Sequence, residues 1–439
     1  MTTSSTKTSL LRTTDGTSYL FPFILITSLF FLWGFAHSLL DVLNKHFQEV
    51  MSISRAMSGL VQASVYGGYF LMAIPAGLIM KRFGYKRGIV FGLLLYAAGA
   101  FLFLPATYIQ TFWAFLIALF IIACGLTCLE TAANPYTTML GPSGSSERRI
   151  NLSQSFNGLG WIVGPLVGSM LIFGTGDTAD NKFASLALPY VGVGFIVLLV
   201  AILFIFTRLP EISSNDEHQP TLNLSILRQL FTFRHFRLAV VTQLFYVAAQ
   251  TGINSFFINY VTETMPNIAT DVSAIFQKTG LHGLSVAAGQ LSTNEMAGYI
   301  LAFGGMGLFM IGRFTGSFIM AAAKPNILLS IYAAANIILL AFVSAGTGWF
   351  PVISLFTTYF FMSIMFPTIF ALGIKDLGPL TKNAASFIVM AIVGGAICPI
   401  LMGFIADVST MQIGFLVPLG CFFVVLYYGL TGYKIQTKP

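Results

Sequence analysis

Long apolar runs alternate along the chain with short breaks that carry Gly, Pro and charge. A helix needs about 20 apolar residues to cross the hydrocarbon core of a bilayer. Runs near 21–43, 58–80, 88–106, 111–140, 151–173 and 187–207 come up to that length, and after a polar, Pro-containing stretch from Leu209 to about Arg237 they resume near 238–261, 297–320, 325–345, 349–372, 383–406 and 412–432. The pattern predicts an all-α membrane protein of twelve transmembrane helices in two six-helix bundles, residues 1–207 and 238–439, joined by a cytoplasmic linker at 208–237. The first 20 residues are polar and rich in Ser and Thr, and no small-residue cleavage motif follows the first apolar run. That run is therefore expected to be a retained span and not a removed signal peptide.

Composition narrows the class further. Of 439 residues, 56% are hydrophobic and 8% charged, with a mean hydropathy of +0.83, whereas a soluble domain has about a quarter of its residues charged. This excludes a nucleic-acid binder, a disordered chain and a disulfide-stapled secreted module. The net charge of +7 follows from topology. With both termini on the cytoplasmic side, 17 of the 22 Lys and Arg residues lie inside, Lys45, Arg55, Lys182 and Lys278 lie outside, and Arg313 falls within a span, as retention of positive charge in cytoplasmic loops requires. The four cysteines, Cys124, Cys128, Cys398 and Cys421, sit in apolar runs and are expected to be packed thiols, with no metal site or cofactor.

Most of the 15 acidic residues lie in loops or tails, and Asp41 and Glu130 are the two that spans contain cleanly. A charged side chain near the bilayer centre costs about 2.5–3.5 kcal/mol, and a carboxyl group held out of water favours its protonated form. Such a group can bind a proton when one face of a carrier is open and release it when the other is. The competing reading for Glu130 is a structural carboxyl satisfied by neighbouring helices, and for Asp41 it is contact with the outer headgroups. His37, Asp41 and Asn44, at i, i+4 and i+7, form one polar stripe on an apolar helix and should avoid lipid. His37 is a candidate proton relay to Asp41 or a hydrogen-bonded packing residue.

Gln154 and Asn157 in the fifth run and Gln243, Gln250 and Asn254 in the seventh supply paired donors and acceptors that match sugar hydroxyls. Trp33, Tyr246 and Phe366 are candidates for the apolar faces of a sugar ring. The same amides would also serve as glue between helices, at about 0.6 kcal/mol each. Arg313 either donates to a sugar and counterbalances Glu130, or snorkels to the interface. Gly160, Gly164 and Gly168, four residues apart, mark close helix packing. Gly304, Gly305 and Gly307 lack the flanking residues of a nucleotide loop. Asn134-Pro135 through Leu140-Gly141 lines up with Phe366-Pro367 through Leu372-Gly373 at an offset of 232, and Ser155-Phe156 with Ser386-Phe387 at 231, a repeat of the kind that places a transporter's site between two halves.

Gly77-Leu-Ile-Met-Lys81-Arg82-Phe-Gly84-Tyr-Lys86-Arg87 resembles the signature loop of the major facilitator superfamily, departing at Lys81, where that family has Asp. Over nearly the whole chain the sequence is similar to the fucose permease branch. The resemblance is carried by Phe30-Phe31-Leu32-Trp33 with Asp41, Cys128 through Pro135, Gln154-Ser155-Phe156-Asn157, Ala249-Gln250-Thr251, Ile311 through Gly316, and Phe366 through Phe370. It implies the major facilitator fold in a bacterial inner membrane, a functional monomer, and import of a monosaccharide, L-fucose first, together with a proton. Glucose or galactose is the alternative, and a drug:proton antiporter the reading from another class. It also implies proton coupling at Asp41 and Glu130. The expected sugar-binding set is Gln154, Asn157, Gln250, Arg313, Trp33, Asn134 and His37. Ser38 replaces an amide of the fucose permease pattern, and Met365-Phe366 replaces Gln-Tyr. The stretch from Glu263 to Glu295 is longer than in that pattern and is assigned no role.

Overall fold

The computed structural model describes residues 18–141, 146–173, 184–207, 209, 228–320, 323–377 and 380–435. Its long helices are α1 (Leu20–Met51), α2 (Arg55–Met80), α3 (Tyr85–Ile109), α4 (Phe112–Thr137), α5 (Leu152–Phe173), α6 (Ala187–Phe206), α7 (Arg234–Thr264), α8 (Thr293–Met320), α9 (Pro325–Ala345), α10 (Trp349–Gly373), α11 (Phe387–Val408) and α12 (Met411–Gly432). All but α7 are both long and apolar enough to cross a membrane. At 31 residues, α7 has the length, about 46 Å at 1.5 Å per residue, but its amides dilute its hydropathy. Those amides are enclosed by protein: Gln243 is 0% exposed, Asn254 5% and Asn259 1%. A helix covered on most faces by other helices tolerates polar residues that a lipid-facing one would not. Large apolar side chains such as Leu71, Phe195, Phe206, Phe303 and Phe318 are exposed along the spans, where lipid is their solvent.

Contacts divide the chain into two compact units. One takes in Met1–Leu39, Gly68–Gly164 and Phe183–Asn215, and the other Leu40–Gly67, Pro165–Lys182 and Asp216–Pro439. Helices α1, α2 and α5 thus contribute to both. In the first unit, glycines let backbones meet. A Cβ on Gly125 would lie 2.6 Å from Gly92 O and Tyr96 N, so α3 and α4 pack without a side chain between them. Gly34, Gly160 and Gly164 do the same between α1 and α5. Gly84 joins α2 to α3 at φ +82°, a left-handed conformation that glycine adopts without steric cost, and Lys86 Nζ donates to the carbonyl of Ile205 at 3.0 Å.

In the second unit, α7 is held by its tyrosines and by α1. Tyr246 donates to the carbonyl of Met362 at 2.9 Å, Tyr260 to that of Val343 at 2.8 Å, and Asn44 Nδ2 to that of Ser255 at 2.6 Å. Helix α1 continues past its apolar run to Met51, with Lys45 and Glu49 paired at i, i+4. At the α1–α2 turn, Arg55 pairs with Glu263 at 2.8 Å and Asp407 at 3.8 Å. Between α7 and α8, the stretch left without a role forms two short helices, Ile268–Lys278 and His282–Gln290, tied by hydrogen bonds between Ser273 and Ser285.

Candidate functional site

Glu130 sits on α4 and lines a small cavity of about 10 Å³ with Leu29, Phe30, Trp33, Leu129, Ala133 and Asn134. That is room for one water molecule. Among the described residues its carboxylate has no hydrogen-bond or ion-pair partner, although Asn134 Nδ2 donates to its backbone carbonyl at 3.2 Å. Gln154 Nε2 reaches Asn134 Oδ1 at 3.5 Å, so the polar groups of α4 and α5 converge one helical turn from the carboxylate. Asn157 is committed elsewhere. It is 4% exposed, and its Nδ2 donates to the carbonyl of Phe30 at 3.0 Å, tying α5 to α1.

Beside Trp33, the ring of His37 is enclosed by aromatics. Its centroid lies 6.0 Å from Trp33, 5.3 Å from Tyr69 and 5.9 Å from Trp161, nearly parallel to the last. Trp33 Nε1 donates to Tyr69 Oη at 2.7 Å, and His37 Nε2 shares a hydrogen bond with the same oxygen at 2.9 Å. The first unit therefore brings together Trp33, His37, Glu130, Asn134, Gln154 and Asn157 of the expected set. Ser38 is fully buried, with Oγ within bonding distance of the carbonyls of Gly34, Phe35 and Gly160. The hydroxyl that stands in place of an amide is spent on packing α1 against α5.

The second unit holds Asp41, Gln250 and Arg313. Asp41 is 2% exposed; Gln62 Nε2 donates to its Oδ1 at 3.3 Å, and Oδ2 has no partner among the described residues. Tyr359 is buried as well, and its hydroxyl has no partner among the described residues. The stripe of His37, Asp41 and Asn44 faces protein, with partners drawn from α2 and α7. Gln250 is half-buried on α7, with no side-chain partner among the described residues. Arg313 Nε donates to the carbonyl of Ser363, where α10 is interrupted, at 3.4 Å, and its guanidinium lies 5.0 Å from the ring of Phe309. Tyr246 and Phe366 meet with ring centroids 6.5 Å apart.

Sequence reasoning missed the partners on α2. Gln62, Tyr66 and Tyr69 lie at i, i+4 and i+7, the spacing of the α1 stripe, and each binds a functional helix: Gln62 and Tyr69 face α1, and Tyr66 Oη accepts from Thr251 on α7 at 3.1 Å. Applying the same period to α2 would have found them.

The sequence profile of the Major Facilitator Superfamily matches residues 23–392. The L-fucose-proton symporter of Escherichia coli (strain K12) is 38% identical over 432 residues, covering 94% of this chain and 93% of that protein. A glucose/galactose transporter of Brucella abortus (strain 2308) is 34% identical over 425 residues, covering 96% and 97%. The crystal structure of FucP, a Major Facilitator Superfamily transporter, in the outward conformation superposes with a TM-score of 0.66 at 38% identity, covering 95% of this chain and 100% of that one. That of the nucleoside transporter NupG matches at 0.70 with 14% identity and covers 95% and 100% in its D323A form, a likeness of fold alone. The chain belongs to the Major Facilitator Superfamily and, within it, to the family of the L-fucose-proton symporter.

Proposed function

We propose that the protein imports a monosaccharide together with a proton by alternating access across a bacterial inner membrane, working as a monomer with both termini in the cytoplasm and with residues 1–207 and 238–439 as its two halves. The observation that carries the reading is Glu130: a carboxylate on an apolar helix, without a cation or hydrogen-bond donor among the described residues, in a cavity shared with an aromatic ring and an amide. A permanently charged group in that setting would be costly, whereas one that takes up a proton as sugar binds is neutral during passage and ionises on release. Asp41, with one oxygen unpartnered among the described residues, is the second proton-binding group. Within the first unit, Gln154, Asn134 and Trp33 are the sugar-binding groups. Gln250 and Arg313 are the sugar-binding groups of α7 and α8, and Asn157 and His37 support those of the first unit from behind.

L-fucose is the first candidate substrate. Glucose or galactose is the alternative, because the chain departs from the fucose permease pattern. Ser38 gives its hydroxyl to helix packing, Met365 carries no amide, and Phe366 stands against Tyr246 without a polar atom, so three hydrogen-bonding groups of the fucose permease pattern are replaced. The test is uptake into proteoliposomes, with and without an imposed pH gradient, for L-fucose, D-galactose, D-glucose and N-acetylglucosamine. Acceleration of one of these sugars by inward proton flow supports the reading; sugar uptake that ignores the gradient overturns it.

A further inference from the structure

We propose that Tyr69 is a positioning residue for the sugar site, fixing Trp33 and His37 so that a rigid ring wall stands beside Glu130. The inference rests on the transport reading above. Trp33 connects the two: its ring lines the cavity of Glu130, and its Nε1 donates to Tyr69 Oη at 2.7 Å. An indole N–H is only a donor, so the phenol oxygen must be the acceptor there, which leaves the phenol hydrogen for an acceptor of its own. His37 Nε2 lies 2.9 Å from the same oxygen. One hydroxyl on α2 thus orients two rings on α1, which are themselves edge to face at 84°. Trp161 closes the far side of His37, at 16° to its plane.

A sugar presents flat C–H faces as well as hydroxyls, and an aromatic wall that is already in place binds it without the entropy loss of ordering a mobile side chain. Tyr69 then acts on affinity through Trp33, without itself touching the sugar.

The experiment compares wild type, Tyr69→Phe, Trp33→Phe and the double variant as full-length protein in proteoliposomes. The readouts are KM and maximal rate for the transported sugar, sugar binding by intrinsic fluorescence, and thermal unfolding. Tyr69→Phe keeps the ring and loses the hydroxyl. The loss of one positioned hydrogen bond predicts a rise in KM and in the dissociation constant of about 2- to 10-fold, with the maximal rate and the proton-to-sugar ratio unchanged. Trp33→Phe removes the same bond from the other side and must weaken binding too, and the double variant must lose less than the sum of the two. Unaltered affinity in either single variant, or additive losses, overturns the proposal. Should Tyr69→Phe also lower the melting temperature, the Trp33→Phe result decides by the same criterion. Sugar binding in a wild-type protein that shows no proton-driven uptake would overturn the transport reading and leave this comparison standing, and binding of none of the four sugars overturns both.

Discussion

Gly160→Ala tests the packing on which the site is built. A Cβ at Gly160 would lie 2.7 Å from Phe35 N and 3.1 Å from Gly34 C, and closer still to Phe31 O. These are backbone atoms of α1, which no side-chain rotation can move. Ordinary contact begins at 3.4 Å, so α5 must retreat by at least the 0.7 Å shortfall at Phe35. Overpacking of this kind costs about 1–3 kcal/mol. The retreat carries Gln154 away from Asn134, which it reaches at 3.5 Å, and breaks the bond from Asn157 to Phe30, at 3.0 Å. The variant should therefore melt earlier and transport sugar with a raised KM. Gly67→Ala is the control, since a Cβ there meets nothing within 4 Å, and in a helix it should be neutral or stabilise by up to about 1 kcal/mol. Thermal unfolding and uptake kinetics of both variants provide the check. Equal melting temperatures and equal KM for Gly160→Ala and Gly67→Ala would refute the close approach of α1 and α5.

Two further outcomes follow from the second unit. Asp407 accepts from the backbone N–H groups of Arg55 and Ala56 at 3.0 and 2.9 Å as well as pairing with the Arg55 side chain. Asp407→Ala should therefore cost about 1–2 kcal/mol and persist in 1 M salt, whereas Arg55→Ala, losing partly exposed ion pairs and one bond to the carbonyl of Ala406 at 3.0 Å, should cost about 1 kcal/mol, the ion-pair share of it masked by salt. Unfolding curves at low and high salt decide this, and equal salt sensitivity of the two variants contradicts it. Asp41→Asn keeps the oxygen to which Gln62 donates and removes a buried ionisable group. It should fold with an unchanged or higher melting temperature yet lose gradient-driven accumulation, and a destabilised variant that still accumulates sugar would reverse the assignment.

The positions of the helices were legible because each must fill the bilayer with apolar residues. Even α7, whose amides Gln243, Asn254 and Asn259 lower its hydropathy, was marked by its length between breaks. The two acids were legible for the complementary reason: at Asp41 and Glu130 the chain accepts a cost that packing alone would not explain. What the sequence did not disclose was which groups those residues face. The division of labour between Asn134, turned toward Glu130 and Gln154, and Asn157, turned into the α1 backbone, depends on helix rotation of a fraction of a turn. The role of Tyr69 depends on a partner 36 residues away, and an aromatic residue in an apolar helix has no compositional signature. Gly160 and Gly164 were correctly read as packing residues because four-residue spacing puts them on one face, but their partners, the backbone around Phe31 and Phe35 and the Ser38 hydroxyl, emerge only in three dimensions.

The most direct measurement is proton movement accompanying sugar entry in sealed proteoliposomes, recorded as alkalinisation of the outer medium, for wild type and Glu130→Gln. Wild type should take up protons in fixed ratio to sugar, and for one proton per sugar an imposed gradient of one pH unit should sustain up to about tenfold accumulation. Glu130→Gln should exchange sugar across the membrane with neither proton uptake nor accumulation. Undiminished proton uptake and accumulation in Glu130→Gln would contradict the account.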